Sequence, residues 1–308
     1  MNQAVLATAT ATFDALNQNL VHDEANNIEC GSGNVDCPVY YTPDAIAESV
    51  AYMEKKIQVL RPVLDARYLK AHRNATEQCK KDGGGAVLKS GGWCLESSHK
   101  WVGCLDISSK VGCEIRPNGR DAIPVPEYHA LPAKVVVDEL IQLIDKEEIQ
   151  SFNDFGAGIG QYKTGVENQR PQVVWRSYDG AGNVEEWTKG YVEWVDLTQP
   201  LSLPKADWVI SLEVGEHISN SHEGMFLRNL HQHNCKGIIL SWAILGQGGK
   251  SHINTHSSSY VISLVEALGY TWDSGLTKQF RRNGDNHFDQ YEWFKKSILV
   301  FRRNINPC

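Results

Sequence analysis

A glycine-rich turn near the middle of the chain constrains the fold more than any other stretch. Asp154 closes a short predicted strand and is followed by Gly156, Gly158 and Gly160. Glycine adopts positive φ and lacks a Cβ, so the backbone of such a turn can approach a ligand closely. A helix that begins just beyond the turn would direct its unpaired N–H groups toward the same ligand. The segment therefore predicts a strand, a ligand-binding turn and a helix in succession.

Strand and helix patterns alternate from about residue 149 onward. Such alternation predicts a parallel sheet that helices cover on both faces. The predicted strands span residues 151–155, 173–178, 191–195, 208–212, 237–242 and 297–301. Between the last two, Thr255 or Ser257 can cap a helix that ends before Gly269. The expected fold class is α/β, with a doubly wound, seven-stranded Rossmann-like sheet over residues 130–308.

Residues 1–129 have weaker periodicity and predict a helical and irregular N-terminal addition. A helix should begin at Pro43 because Thr42 is a good N-cap, and Pro62 should kink or end it. Six of the eight cysteines lie in this part, which predicts disulfide bonds. Disulfides favour the lumen of the secretory pathway or the cell exterior, and a reduced cytoplasmic location is the alternative.

The charge of the chain argues against two classes of partner. The formal net charge is −7, so the chain offers no general attraction to nucleic acid or to an anionic membrane. No uncharged apolar run reaches the roughly 18 residues that a membrane helix needs. We therefore predict neither a nucleic-acid partner nor a membrane span.

Carboxylates follow three of the predicted strands. Asp154, Asp179 and Asp196 would all lie at the carboxyl ends of parallel strands, where the ligand crevice of a doubly wound sheet opens. Asp179 could accept both hydroxyl protons of a ribose, and Asp196 could accept from an adenine amino group. A dinucleotide is the weaker alternative, since Gln161 occupies the position of the last glycine in the dinucleotide fingerprint.

Together with Ser211-Leu212-Glu213-Val214-Gly215-Glu216-His217, these residues resemble the successive motifs of class I S-adenosylmethionine-dependent methyltransferases. The resemblance covers roughly residues 130–303. It implies the seven-stranded methyltransferase sheet, S-adenosylmethionine as cofactor and methyl transfer as the reaction. The implied cofactor-binding residues are Asp154, Gly156, Gly158, Gly160, Asp179, Asp196, Leu197 and Glu213. A non-catalytic interaction module with the same fold is the alternative, and it would not bind the cofactor.

A narrower resemblance rests on Ser211–Ile218 together with the segments Ser241-Trp242-Ala243, Gly246-Gln247-Gly248-Gly249 and His252-Ile253-Asn254. These segments are similar to those of an animal and algal group of methyltransferase-like proteins. The glycine-rich segment is typical of an active-site loop, and residues 279–291 could form a lid over an acceptor. By contrast, His231 and His233 are predicted to lie on the surface, and Trp293 is predicted to belong to the core.

The predicted catalytic residues are Glu213, Glu216, His217 and His252. His217 could act as the general base for an acceptor hydroxyl, because imidazole titrates near neutral pH. The Glu-x-x-Glu-His stretch also resembles that of magnesium-assisted methyltransferases acting on the terminal ribose of small RNAs, and that of quinone-biosynthesis O-methyltransferases. This second resemblance implies a divalent metal bound by both glutamates, His217 and either His252 or His256. Both interpretations stay open on the sequence alone.

The expected acceptor is a sugar hydroxyl of a glycan or glycoconjugate. This expectation combines the disulfide-rich N-terminal part, the histidines suited to hydroxyl groups and the absence of a basic surface. The alternative is a cytosolic methyltransferase that acts on an oxygen or nitrogen of a small metabolite. The two differ in a measurable way, because the cytosolic protein would carry free thiols.

Overall fold

The computed structural model describes residues 42–96, 114–126, 129, 131–282, 291–305 and 307–308. Four of the cysteines in the N-terminal part lie outside the described residues, as does most of the predicted lid. The four are Cys30, Cys37, Cys104 and Cys113.

The described helices differ greatly in length, and the first alone spans 40 residues. The helices are α1 (Pro43–Asp82), α2 (Lys134–Glu147), α3 (Gln161–Glu167), α4 (Val184–Trp187), α5 (Glu223–Gln232), α6 (Ser258–Ala267), α7 (Ser274–Phe280) and α8 (Phe294–Ser297). The strands are β1 (Glu114–Ile115), β2 (Ile123–Pro124), β3 (Ser151–Phe155), β4 (Val174–Asp179), β5 (Glu193–Trp194), β6 (Ala206–Ser211), β7 (Asn234–Ser241), β8 (Tyr270–Trp272) and β9 (Ile298–Arg303).

Seven of these strands form one sheet in the order β5-β4-β3-β6-β7-β9-β8. Neighbouring strands are parallel, except that β9 runs antiparallel to both β7 and β8. The order of the strands reverses at β3, which lies between β4 and β6. In doubly wound sheets the ligand crevice opens at the carboxyl ends of the strands beside such a reversal. The predicted α/β fold with a seven-stranded doubly wound sheet is confirmed.

The six predicted strands are all present, although their ends differ by a few residues and β5 covers only Glu193–Trp194. The seventh strand, β8, was not predicted. It is three residues long and lies at the edge of the sheet, so it is too short to show a periodic pattern. Ser257 caps α6 by accepting a hydrogen bond from the N–H of Tyr260, and Gly269 follows the helix with a φ of 89°.

Helix α1 does not end at Pro62, and that part of the prediction is wrong. The helix continues to Asp82, and its buried stripe continues through Leu64 to Cys79. Pro62 and Gln58, whose carbonyl loses its helical partner, are both exposed, so water can satisfy that carbonyl. Packing of the stripe against α5 and α6 offsets the cost of the proline, about 3 kcal/mol.

Helices bury both faces of the sheet. On one face α1, α5 and α6 pack around residues such as Ile46 and Phe226, which are fully buried. On the other face α2 and α7 pack around Leu140 and Phe280. The N-terminal part therefore shares a hydrophobic core with the sheet. The division of the chain into domains at residues 129 and 130 stays a prediction.

Two disulfides are present among the described residues, Cys79–Cys94 and Cys235–Cys308. They confirm that the chain carries disulfide bonds, and they are compatible with a secreted or lumenal protein. No helix in the described ranges combines the length and the apolar character needed to cross a membrane.

Replacing Cys235 and Cys308 together by alanine is expected to lower the free energy of unfolding by about 2–4 kcal/mol. The disulfide links residues separated by 73 positions, so its loss increases the conformational freedom of the unfolded chain. Urea denaturation followed by circular dichroism measures the change. An unchanged midpoint and slope would contradict the expectation.

Candidate active site

The glycine-rich turn adopts a conformation that requires glycine. Gly156, Gly158 and Gly160 have φ values of 78°, 58° and 87°, in the left-handed region that L side chains rarely adopt. A Cβ on Gly156 would lie 2.2 Å from Cγ2 of Val214. The turn therefore packs directly against the loop that follows β6, and α3 begins immediately after it at Gln161.

Two of the predicted carboxylates lie beside this turn. Asp179 accepts hydrogen bonds from the backbone N–H groups of Gly158, at 2.7 Å, and Ala181, at 2.8 Å. Asp154 accepts one from Nε1 of Trp175, at 3.1 Å. Burial raises the pKa of Asp179 to about 6 and the pKa of Asp154 to about 7. A bound positive charge would favour the ionised form of either group.

The third predicted carboxylate, Asp196, accepts its hydrogen bonds from residues of its own turn. Its Oδ1 accepts hydrogen bonds from the backbone N–H and the hydroxyl of Thr198, at 2.9 and 2.6 Å. Its Oδ2 accepts one from Nε2 of Gln199, at 2.7 Å. The carboxylate stabilises the turn after β5, as Asp often does in turns. Asp196 is not among the residues that line the cavity described next, and its contact with a ligand stays a prediction. The neighbouring Leu197 does line the cavity described next, whereas Gly160 packs against Tyr191 instead.

A cavity of about 390 Å³ connects the glycine turn with the loops that follow β6 and β7. Its volume falls within the range of small-molecule sites in proteins. One part of the lining is formed by Asp154, residues 156–158, Asp179, Gly180, Ala181 and Leu197. Another part consists of aromatic and histidine side chains, namely Trp93, His129, Tyr162, His217, His252, Tyr291, Trp293 and Phe294.

Glu213 lies in the cavity wall with an unusual backbone conformation. Its φ is 55°, which is uncommon for a non-glycine residue and is found most often at functional sites. Its Oε1 accepts hydrogen bonds from the hydroxyls of Ser241, at 2.8 Å, and Ser297, at 3.2 Å. Its Oε2 accepts one from Nε2 of Gln247, at 3.0 Å. Burial raises the pKa of Glu213, and these hydrogen bonds oppose that shift.

Glu216, His217 and His252 form a compact cluster, with one carboxylate oxygen and one nitrogen of each ring all within 4.8 Å of one another. Nδ1 of His217 lies 3.1 Å from the carbonyl oxygen of Ser251, and Nδ1 of His252 lies 3.1 Å from that of Gln247. A carbonyl only accepts hydrogen bonds, so both Nδ1 atoms donate and both Nε2 atoms carry the lone pair. Nε2 of His252 lies 3.9 Å from Oε1 of Glu216.

The electrostatics of this cluster suit a positively charged group. Glu216 is fully buried, and the groups that face its carboxyl are the backbone N–H groups of Glu216 and Ala243 and the side chain of Glu213. Burial and the nearby charge of Glu213 raise the pKa of Glu216, while burial lowers the pKa of His217 to about 4. One carboxylate and two imidazoles, each ring oriented by a backbone carbonyl, are a donor set that fits Mn²⁺ or another transition metal better than Mg²⁺, which prefers oxygen ligands.

The structure distinguishes the two histidines that the sequence left as alternatives. His252 belongs to the cluster, whereas His256 is directed away from it and lies 2.7 Å from Oε2 of Glu223, with both side chains fully buried. The same carboxylate accepts hydrogen bonds from Asn254 and Tyr260. This buried group fixes the segment that carries His252.

Two predictions about other aromatic and histidine residues are wrong. His233 is 3% exposed rather than a surface residue. Its Nδ1 donates to the carbonyl of Asn229, at 2.7 Å, and its Nε2 accepts from the N–H of Leu203, at 3.1 Å. Trp293 is not in the core, because it is 37% exposed and lines the cavity.

Several lining residues were not identified from the sequence. Ser90–Trp93 come from the N-terminal part, and His129 lies at the end of that part. The signal that could have located the first group is the pair Gly91-Gly92 directly before Trp93 and Cys94, since adjacent glycines often mark a close backbone approach. The described part of residues 279–291 contributes Tyr291 to the cavity.

No protein-family model and no curated protein matches this chain. Among solved structures, magnesium protoporphyrin IX methyltransferase from Synechocystis PCC 6803 with bound S-adenosylmethionine is 16% identical, with a TM-score of 0.40 over 56% of this chain and 79% of that chain. An O-methyltransferase family protein from Burkholderia thailandensis is 12% identical, with a TM-score of 0.43 over 57% of each chain. The methyltransferase domain of bacterial CtHen1-C is 14% identical, with a TM-score of 0.42 over 56% of this chain and 99% of that chain. Similarity at this level concerns the fold alone.

Proposed function

We propose that this protein is an S-adenosylmethionine-dependent O-methyltransferase whose acceptor is a sugar hydroxyl of a glycan or glycoconjugate. One observation carries the proposal. A single cavity joins the glycine turn and Asp179 to His217 and His252, and Glu216 lies directly behind those rings. Methyl transfer requires the methyl donor and the acceptor oxygen to be held in line, and this cavity brings the two kinds of binding group together.

The residues around the glycine turn fit the nucleoside and the sulfonium of S-adenosylmethionine. Gly156 and Gly158 allow close approach to the backbone, Asp179 presents a carboxylate for ribose hydroxyls, and Leu197 offers an apolar surface for adenine. Asp154 is buried in the wall beside them and would stabilise a positive charge. When bound, S-adenosylmethionine supplies a methyl group from its sulfonium and leaves as S-adenosylhomocysteine.

The cluster around Glu216 would prepare the acceptor hydroxyl. A divalent ion bound by Glu216, His217 and His252 would lower the pKa of that hydroxyl. Both imidazoles are held by backbone carbonyls, so they are oriented for this role without rearrangement. Without an ion, Nε2 of His217 would accept the hydroxyl proton directly. The buried carboxylate of Glu216 favours the version with an ion, because burial disfavours its ionised form and a bound cation would compensate that charge.

The sugar acceptor is supported by the aromatic residues that line the site and by the disulfide bonds of the chain. Trp93 and Trp293 place two indole rings in the lining, and the apolar faces of sugar rings pack well on such surfaces. The disulfides are compatible with a lumenal or secreted protein, where glycans are abundant. We therefore place the enzyme in the secretory-pathway lumen or outside the cell. We also propose that the protein belongs to the animal and algal group of methyltransferase-like proteins that its sequence resembles.

A small-metabolite methyltransferase is the second candidate. The observation that favours it is the aromatic lining, where Tyr162, Tyr291 and Phe294 join the two tryptophans. A cavity of about 390 Å³ with such walls also suits a small planar acceptor. This candidate uses the same methyl donor, and its acceptor is an oxygen or a nitrogen of a small metabolite.

Transfer of a labelled methyl group from S-adenosylmethionine to a panel of methyl glycosides, glycans and phenols tests the proposal, with and without a chelator. We expect transfer to at least one sugar, and we expect the chelator to abolish it and Mg²⁺ or Mn²⁺ to restore it. Transfer that the chelator leaves unchanged would support His217 as the base. Transfer only to phenols would support the second candidate, and failure to bind S-adenosylhomocysteine would overturn the proposed function.

A further inference from the structure

A hairpin from the N-terminal part, residues 85–94, forms one side of the cavity. The N–H of Gly85 donates to the carbonyl of Cys94, and the N–H of Cys94 donates to that of Ala86, both at 2.8 Å. The N–H of Leu88 donates to the carbonyl of Gly92 at 2.7 Å, which closes the turn. The residues at and after this turn, 90–93, line the cavity. The hairpin therefore belongs to the site, although it lies far from the sheet in sequence.

Two glycines of the hairpin touch the backbone of the two loops that carry the proposed functional residues. A Cβ on Gly92 would lie 2.5 Å from the carbonyl oxygen of Gly180, which follows Asp179. A Cβ on Gly91 would lie 2.4 Å from the carbonyl oxygen of His217. The backbone of the hairpin is therefore so close to both loops that it cannot shift toward them without displacing them. Trp93 is held beside His217, with 5.0 Å between the ring centroids.

The disulfide Cys79–Cys94 holds the hairpin in this position. Residues 83–85, all glycines, connect the hairpin to the end of α1, and a glycine linker offers little resistance to movement. The disulfide bypasses that linker, since Cys79 is in α1 and Cys94 ends the hairpin. Its sulfur also packs on the loop after Asp179, because Sγ of Cys79 lies 2.8 Å from where a Cβ on Gly182 would be.

A side chain of that same loop completes the connection. Nδ2 of Asn183 donates to the carbonyl of Leu95 at 3.0 Å, and its Oδ1 accepts from the N–H of Leu95 at 2.8 Å. Leu88, Cys94 and Leu95 are buried in one hydrophobic cluster with residues of the glycine turn and of α4. The hairpin, the disulfide and the loop after Asp179 thus pack as one unit.

We propose that the Cys79–Cys94 disulfide and Gly92 are positioning residues of the cofactor site, so that affinity for the S-adenosyl group depends on the oxidised disulfide. The inference rests on the proposed function, because it assigns the cavity beside Asp179 to that cofactor. In the reduced protein the hairpin is attached to α1 only through the glycine linker. The hairpin can then move away from the loop after Asp179, so that loop loses the backbone of Gly92 as a packing partner and the cavity loses one wall.

Isothermal titration of the full chain with S-adenosylhomocysteine tests this inference. The variant Cys79→Ala/Cys94→Ala is expected to bind roughly tenfold more weakly or worse, which corresponds to about 1.4 kcal/mol. The matched control, Cys235→Ala/Cys308→Ala, removes the other disulfide and is expected to keep the wild-type affinity while losing stability. Comparison of these two variants separates a positioning role from a general contribution to stability.

Gly92→Ala provides a second test in which both disulfides stay intact. The added Cβ would meet the backbone of Gly180 and displace the hairpin, so affinity is expected to fall by a similar factor. Gly275→Ala is the control, because a Cβ there meets only Oδ1 of Asp273, at 3.4 Å. Equal affinity in wild type, Cys79→Ala/Cys94→Ala and Gly92→Ala would overturn the inference, as would equal losses in the two disulfide variants. A folded, oxidised wild type that does not bind S-adenosylhomocysteine would overturn the proposed function and this inference with it.

Discussion

Replacing Glu216 by glutamine is expected to reduce methyl transfer by roughly a hundredfold or more while S-adenosylhomocysteine still binds. Glu216 supplies the one carboxylate of the described cluster, whose other members are the imidazole rings of His217 and His252, with the ligand atoms within 4.8 Å of one another. Glutamine has the same shape but cannot bind a divalent ion as a carboxylate does. Transfer from labelled S-adenosylmethionine measures the rate, and electron paramagnetic resonance of added Mn²⁺ measures ion binding without reference to activity.

The free energy of unfolding of the same variant can also be predicted. Burial raises the pKa of Glu216, so the folded protein disfavours its charged form, and a neutral glutamine is not expected to lower the free energy of unfolding. Glu186→Gln, which removes an exposed carboxylate from α4, is the control for loss of charge alone. If Glu216→Gln bound Mn²⁺ as tightly as the wild type and transferred methyl groups at the same rate, the metal assignment would be wrong.

Replacing Asp179 by asparagine is expected to remove most of the stabilisation that S-adenosylhomocysteine gives to the wild type. At a ligand concentration of about one hundred times Kd, that stabilisation is about 2.7 kcal/mol. Asparagine keeps one acceptor oxygen, so it cannot accept from both Gly158 and Ala181 as the carboxylate does. Its amide group would also direct N–H donors toward a backbone N–H or toward the ribose. Thermal unfolding with and without the ligand measures the difference.

Asp196→Asn is the matched control for this experiment. Asp196 also follows a strand of the sheet, but its carboxylate binds Thr198 and Gln199 rather than facing the cavity. This variant is expected to keep the ligand-induced shift even if it is less stable. Loss of the shift in Asp196→Asn, with retention in Asp179→Asn, would reverse our assignment of the two carboxylates.

The cofactor part of the candidate site could be predicted from local sequence. The turn requires positive φ values at Gly156, Gly158 and Gly160. Glycine adopts such values in any surroundings, because it has no Cβ. Asp179 follows at the end of the next parallel strand, where side chains converge in any doubly wound sheet. The main strands and the capped helix α6 were likewise predictable, because each is specified by short-range patterns of burial and by its end residues.

Other assignments depended on neighbours that the sequence does not reveal. Asp196 occupies the predicted place in the chain, yet Thr198 and Gln199 satisfy its carboxylate. His252 and His256 are equivalent candidates by residue type, but the side chain of His256 contacts the buried carboxylate of Glu223 instead. Trp293 is a large aromatic residue of the kind that usually belongs to a core, but it lies in the cavity wall. In each case the outcome is set by which partner lies within hydrogen-bonding or packing distance after folding.

The sequence by itself determined the main strands, the glycine turn and the position of Asp179 after a strand, since the backbone conformation of each follows from patterns within a few residues. Only the tertiary structure decided the acceptor side, where Trp93, His217 and His252 come together from three distant segments. The hairpin that carries Trp93 is placed by a disulfide and by glycine contacts with loops far away in the chain. Such contacts leave no periodic pattern in the sequence, because they depend on distance in space and not on spacing along the chain.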